Sequence, residues 1–203
     1  AVEAGLAALG DRGQAARLTP FGERLLLAER LAQARLGPQI ESLRAELARA
    51  FALAFAREGA QVSACDVNLK GCEETVAQMG AGFVAAVDVT DAASCRELAA
   101  LAADKMGGTD VLVNNAALYG GLERRFFEDI DEDVWDRVMS VNIKGVWQMC
   151  RAFSPALRAA KGAIVNIASA TVFSGSPQWM HYVASKGAVI AMSRTMAKEM
   201  GAD

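Results

Sequence analysis

The stretch "AQVSACDVNLKGCEETVAQMGAGFVAAVDVTDAASCRELAALAADKMGGTDVLVNNAA" runs from Ala60 to Ala117 and alternates two rhythms. "AQVSACDV", "GFVAAVDV" and "TDVLVNNAA" are short apolar runs that read as strands. "LKGCEETVAQMG" and "DAASCRELAALAADKMGG" between them read as helices. The first helix should end at Gly80. The second should start on Asp91 as its N-cap and stop near Gly107. Strands alternating with helices imply βαβ units and a parallel sheet with right-handed crossovers.

The rhythm continues downstream. "DEDVWDRVMSVNIKGVWQMCRAFSPALRAA" (131–160) reads as one long helix and "GAIVNIAS" (162–169) as a fourth strand. "SPQWMHYVASKGAVIAMSRTMAKEM" reads as a helix from Ser176 to Met200. That last segment puts Tyr182 and Lys186 four residues apart, so both side chains address one volume on a single helix face. Small neighbours (Ala184, Ser185, Gly187 and Ala188) leave room for a flat ligand.

In an open parallel sheet, ligands bind beyond the carboxyl ends of the strands. Polar side chains stand at all four predicted ends: Asp66, Asp88 before Val89, Asn114–Asn115 before Ala116, and Ser169. One such residue is usually a turn former; four on one edge read as the lining of a site. A carboxylate at Asp66 can accept from ribose hydroxyls and repels a 2′-phosphate, which points to NAD rather than NADP. Asp88 could accept from an adenine amino group. Asn115 and Ala116 would let a ribose approach the backbone.

The bulk composition is that of a globular protein: 203 residues, 53% hydrophobic and 22% charged. A net charge of -3 argues against nucleic-acid binding. No apolar run approaches the ~20 residues that span a bilayer, and no secretory signal is recognisable. Cys65, Cys72, Cys95 and Cys150 are scattered without metal-ligand spacing, so they read as reduced thiols of a cytoplasmic protein. With His181 the single histidine, no metal site is expected.

Four motifs in order resemble the short-chain dehydrogenase/reductase family over residues 48–200: "NNAA" from Asn114, "VNIKG" around Asn142, "NIAS" ending at Ser169, and "YVASK" from Tyr182 to Lys186. The resemblance implies a Rossmann-like, doubly wound α/β fold with a parallel sheet. It also implies an oxidoreductase that interconverts a secondary alcohol and a ketone. Tyr182 would be the general acid or base. Lys186 would lower its pKa and bind the nicotinamide ribose, and Ser169 would hold the substrate oxygen. Asn142 would hold a water of a proton relay. Asp66, Asp88, Val89, Asn115 and Ala116, with Tyr182 and Lys186, would bind NAD. A homodimer or homotetramer is implied, with a small alcohol or ketone as substrate and neither nucleic acid nor membrane as partner.

The family pattern is incomplete here. Its first strand and T-G-x-x-x-G-x-G loop, which would stand between the Asp66 and Asn114 strands, are not found upstream, and the C-terminal strands are not found after Lys186. The expected fold is therefore an incomplete Rossmann domain (48–203) behind a helical extension (1–47). The extension contains no Lys, Asn, Cys, Met, Tyr or Trp. Its "ARLTPFGERLLLAERL" resembles the wing and linker helix of bacterial winged-helix regulators. Without the glycine loop, cofactor binding and turnover should be impaired. A non-catalytic, regulator-like fusion or pseudoenzyme scaffold is the alternative.

Overall fold

The computed structural model describes residues 48–201. The extension and its winged-helix resemblance lie outside them. Helical residues 48–57 (α1) lead through Gly59, in the left-handed region (φ 86°), into β1 (Ser63–Asp66). There follow α2 (Leu69–Met79), β2 (Phe83–Ala86), α3 (Ala92–Met106) and β3 (Val111–Asn114). Next come α4 (Glu132–Met139), a π-helical segment (Ser140–Gly145) and α5 (Val146–Ala160). β4 (Ala163–Asn166), the single turn α6 (Thr171–Ser174) and α7 (Met180–Met200) complete the order.

The predicted helix boundaries have physical causes. Asp91 caps α3 by accepting from the Ala93 N–H, and Gly107 closes it in the left-handed conformation, as Gly80 closes α2. The last helix departs from expectation: it starts at Met180, not Ser176. Pro177 disfavours a helical conformation at Ser176, and Gln178 adopts φ 65°, so the chain turns before it winds. The long helix expected over 131–160 is interrupted by the π segment.

Every strand pairing is parallel. β1 pairs β2 with Ser63 opposite Phe83, and β3 pairs β4 with Val111 opposite Ala163. Among the described residues these are two two-stranded sheets, since β1 and β3 do not bond each other. One apolar core nevertheless reaches both pairs. It contains Ala85, Val87, Cys95, Leu98, Leu112, Met149, Phe153, Leu157 and Val189, contributed mainly by α3, α5 and α7 facing the strands. Strands buried on both faces are the rule in parallel sheets. Here Val165 of β4 keeps 42% of its surface exposed, so the cover of that face is not among the described residues. No helix among them is long and apolar enough to cross a membrane.

Candidate active site

The π segment places the first candidate side chain. Asn142 lies at its centre, fully buried. Its Oδ1 accepts from the Leu118 N–H (2.7 Å), and its Nδ2 donates to the Leu118 carbonyl (3.1 Å) and to Ser185 Oγ (3.0 Å). The Ser185 hydroxyl donates in turn to the Tyr182 carbonyl (2.7 Å). Asparagine is a poor helix former because it competes for backbone bonds; here it spends those bonds on another part of the chain. One amide thereby fastens the loop after β3 to the second turn of α7. A relay water at Asn142 would have to donate to the second lone pair of Oδ1 or bind the main chain, because both amide hydrogens already have partners. Ser185 likewise faces Asn142 rather than leaving space for a flat ligand.

Tyr182 and Lys186 sit one turn apart on α7, both buried. Lys186 is 3% exposed; its Nζ donates to the Ile167 carbonyl just past β4 (2.7 Å) and stands 5.9 Å from the centre of the Tyr182 ring. Lysine is almost never this buried without a partner. Ser169 lies two residues beyond Ile167. Its Oγ accepts from the Thr171 hydroxyl (2.9 Å) and N–H (3.3 Å), which orients it at the start of α6.

Two aromatic residues that the motifs do not include complete the surroundings of the phenol. Tyr119 and Trp179 pack on Tyr182 with ring centres 4.9 and 5.2 Å away, and on each other at 4.7 Å. The Arg124 guanidinium covers the Trp179 ring at 4.5 Å. The sequence signal for Trp179 was its place three residues before Tyr182. Tyr119 had none, because the Leu118 clamp that holds it is a tertiary contact.

The end of the β1–β2 pair is built differently. Asp66 is exposed; its Oδ1 accepts from the Asn68 N–H (2.9 Å). Its second carboxylate oxygen has no bond among the described residues and suits a ribose diol. Asp88 Oδ1 accepts from the Thr90 N–H (2.8 Å) and hydroxyl (2.7 Å), which hold its carboxyl below the usual range and keep it ionised. Val89 is packed from behind: a Cβ on Gly145 would come within 2.6 Å of it, and Gln148 Nε2 donates to its carbonyl (2.9 Å). Asn115 is half-buried and Ala116 exposed, just past β3. Asn114 instead faces inward, donating to Asn166 Oδ1 (2.8 Å) and Cys150 Sγ (3.3 Å), while Asn166 donates to Ser193 (2.9 Å). The exposed carboxylates of Asp66 and Asp88 could accept from hydroxyl or amino groups of a nucleoside.

The cysteines are free. Burial pushes the thiols of Cys72 and Cys150 up to about 11 and raises those of Cys65 and Cys95, so none is poised as a nucleophile near neutrality. No cluster of three metal-ligating side chains occurs among the described residues.

A family model described as short chain dehydrogenase matches residues 44–203. D-threitol dehydrogenase of Mycolicibacterium smegmatis (strain ATCC 700084 / mc(2)155) is 37% identical over 159 residues, covering 75% of this chain and 59% of that protein. Sorbitol dehydrogenase of Cereibacter sphaeroides is 37% identical over 152 residues, covering 73% and 58%. The crystal structure of a candidate short-chain alcohol dehydrogenase from Sinorhizobium meliloti 1021 superposes with a TM-score of 0.70 at 34% identity, covering 76% of this chain and 62% of that one. The chain thus spans about three fifths of the length of the relatives it matches. With a Rossmann-like arrangement of parallel strands and the Tyr182–Lys186 pair buried beside them, the chain belongs to the short-chain dehydrogenase family.

Proposed function

We propose that this chain carries the catalytic part of an NAD-dependent oxidoreductase that interconverts a secondary alcohol and a ketone. The single observation behind this is the burial of the Lys186 cation one helical turn from the Tyr182 phenol. Burying an ammonium is costly unless its charge is used or paired. Beside a phenol it favours the phenolate, bringing a group with an ordinary pKa of about 10 toward working pH.

In this scheme Tyr182 gives its proton to the carbonyl oxygen in reduction and takes it from the alcohol in oxidation. Ser169 holds that oxygen by a hydrogen bond, its own orientation set by Thr171. Asn142 is a positioning residue, acting on the Tyr182 backbone through Ser185. The nicotinamide supplies the hydride chemistry when bound. Asp66 holds the adenosine ribose, Asp88 the adenine, and Val89, Asn115 and Ala116 line the path between, while Lys186 binds the second ribose. The free carboxylate oxygen of Asp66 favours NAD over NADP, because it would repel a 2′-phosphate.

Relatives named for D-threitol and sorbitol support a polyol as the substrate alcohol. Trp147, 46% exposed on α5, supports a homodimer or homotetramer. Reduced, buried thiols suit the cytoplasm. Cofactor affinity should be low in this chain, since its sequence has no T-G-x-x-x-G-x-G loop to cradle the pyrophosphate. That same feature favours the second reading, a scaffold without activity.

The test is NAD-linked oxidation of D-threitol, sorbitol and 2-butanol by this chain and by a version given a strand and glycine loop. The looped version should turn over faster, and Tyr182→Phe should slow it about 100-fold or more. Asp66→Ala should narrow a preference for NAD. Turnover that survives Tyr182→Phe would overturn the mechanism, and equal affinity of the parent for NAD and NADP would overturn the cofactor choice. No turnover from the looped version would leave the scaffold reading standing.

A further inference from the structure

A cavity of about 310 Å³ opens between the loop from Gly121, the start of α4 and the first turn of α7. Small-molecule sites span about 300–1,000 Å³, so it is large enough for a compact ligand. Its walls carry Glu123, Arg125, Asp131, Arg137 and His181, with Val134 as an apolar face. Tyr182, Ser169 and Lys186 do not line it.

His181 borders this cavity. The ring is 1% exposed, and both its nitrogens are buried without a hydrogen-bond partner among the described residues. Buried polar groups in folded proteins are nearly always bonded, so each exception calls for a reason. Burial lowers the His181 pKa, which leaves a neutral imidazole near neutrality. Such a ring offers one N–H donor and one lone-pair acceptor. A hydroxyl is a group that can meet either.

The rest of the wall has the same two-sided character. Asp131 is the N-cap residue of α4, yet its carboxylate makes no capping bond and remains an acceptor. Arg137 uses its Nε on the Asp133 carbonyl (3.3 Å), which leaves its two terminal nitrogens as donors. Arg125 is paired with Glu123 at 2.7 Å. Two carboxylates and two guanidiniums cancel, so neither an anion nor a cation is favoured. A neutral molecule with many hydroxyls can give to Asp131 and take from Arg137 at once, with its C–H face on Val134.

We propose that this cavity is a polyol-binding subsite, with His181 at its inner end and Asp131 and Arg137 as the residues that bind remote hydroxyls. The proposal rests on the oxidoreductase reading, because His181 directly precedes Tyr182. Adjacent helical residues diverge by about 100°, so the two side chains address different volumes, and the cavity would receive the part of the substrate that does not react.

The test is ligand-observed NMR titration of the full chain with sorbitol and D-threitol, with 2-butanol and inorganic phosphate as controls. Polyols should bind and phosphate should not displace them. Asp131→Asn and Arg137→Met, both at exposed positions, should each weaken polyol binding about tenfold, about 1.4 kcal/mol. Binding of 2-butanol should not change. Polyol binding that is absent, displaced by phosphate, or indifferent to both variants would overturn the subsite. If Tyr182→Phe abolishes polyol binding while Asp131→Asn spares it, the oxidoreductase reading stands and the cavity is excluded. If the cavity variants lose polyol binding but the looped version oxidises no alcohol, the cavity stands and that reading falls.

Discussion

The two strand pairs end in polar residues of two kinds. At the β1–β2 end, Asp66, Asp88 and Asp91 each accept from a backbone N–H two residues onward, at 2.8–2.9 Å, and all three are exposed. These are local Asx turns, which any short loop could form. At the β3–β4 end the partners are far apart in the chain: 52 residues separate Asn114 from Asn166, and 43 separate Asn142 from Ser185. Those groups are buried or half-buried. An exposed turn can exchange its partner for water at little cost. A buried network cannot, because each broken bond leaves a desolvated donor or acceptor. The first end is thus open to exchange with solvent, while the second fixes the backbone at Tyr182 through Ser185.

The sharpest way to break this contrast is Asn142→Ala. It would leave the Leu118 N–H and carbonyl without their partner, while Ser185 keeps its bond to the Tyr182 carbonyl. At about 1–3 kcal/mol for each of these two groups, the expected loss is about 2–6 kcal/mol. Urea unfolding should show it as a lower midpoint with an unchanged slope. A loss under about 1 kcal/mol would mean that the network is no more cohesive than the turns.

Gly145→Ala probes the join between the two ends. The added methyl would meet Val89 Cγ2 at 2.6 Å and Cβ at 3.0 Å, where little can yield. Overpacking of this kind costs about 1–3 kcal/mol. Thermal unfolding would register it, and a neutral result would show that the Val89 turn shifts freely.

His181 sharpens the contrast through pH. Its folded pKa lies below the ordinary value of about 6.5, because burial disfavours the imidazolium. Between those two values the unfolded chain holds a proton that the folded chain lacks. Stability is therefore full above about pH 6.5 and falls as pH drops below it, by at most about 1.4 kcal/mol per unit. Urea midpoints at pH 7.5 and 5.5 should differ in the parent and differ less in His181→Leu. Equal slopes in both proteins would place the titration elsewhere.

The smallest effect belongs to the exposed end. Thr90→Val removes the hydroxyl bond that leads the causes holding Asp88 low. The Asp88 pKa, followed by NMR, should rise toward its ordinary value. Any stability from Asp88 is present above about pH 3.9 and is lost as pH falls through the folded pKa. At neutral pH the substitution should stay within about 0.5 kcal/mol of the parent. A larger change would erase the distinction between the two ends.

Much of this was legible in the chain itself. The alternation of strand and helix, the Asp91 and Gly80 boundaries and the Tyr182–Lys186 pair all depend on neighbours within a few residues. Periodicity, capping and helical spacing are local physics, so the sequence alone determined the α/β class, and its four ordered motifs the family. The departures also began locally, at Pro177 and Gln178, where turn chemistry delayed the start of α7. What only the tertiary structure decided was which polar groups meet. The register of β3 on β4 sets Asn114 opposite Asn166. A π-helical turn aims Asn142 at both Leu118 and Ser185, and packing leaves His181 buried with two nitrogens unbonded among the described residues. None of these has a local signature. Their energy comes from burial, and burial is a property of where distant segments lie against one another.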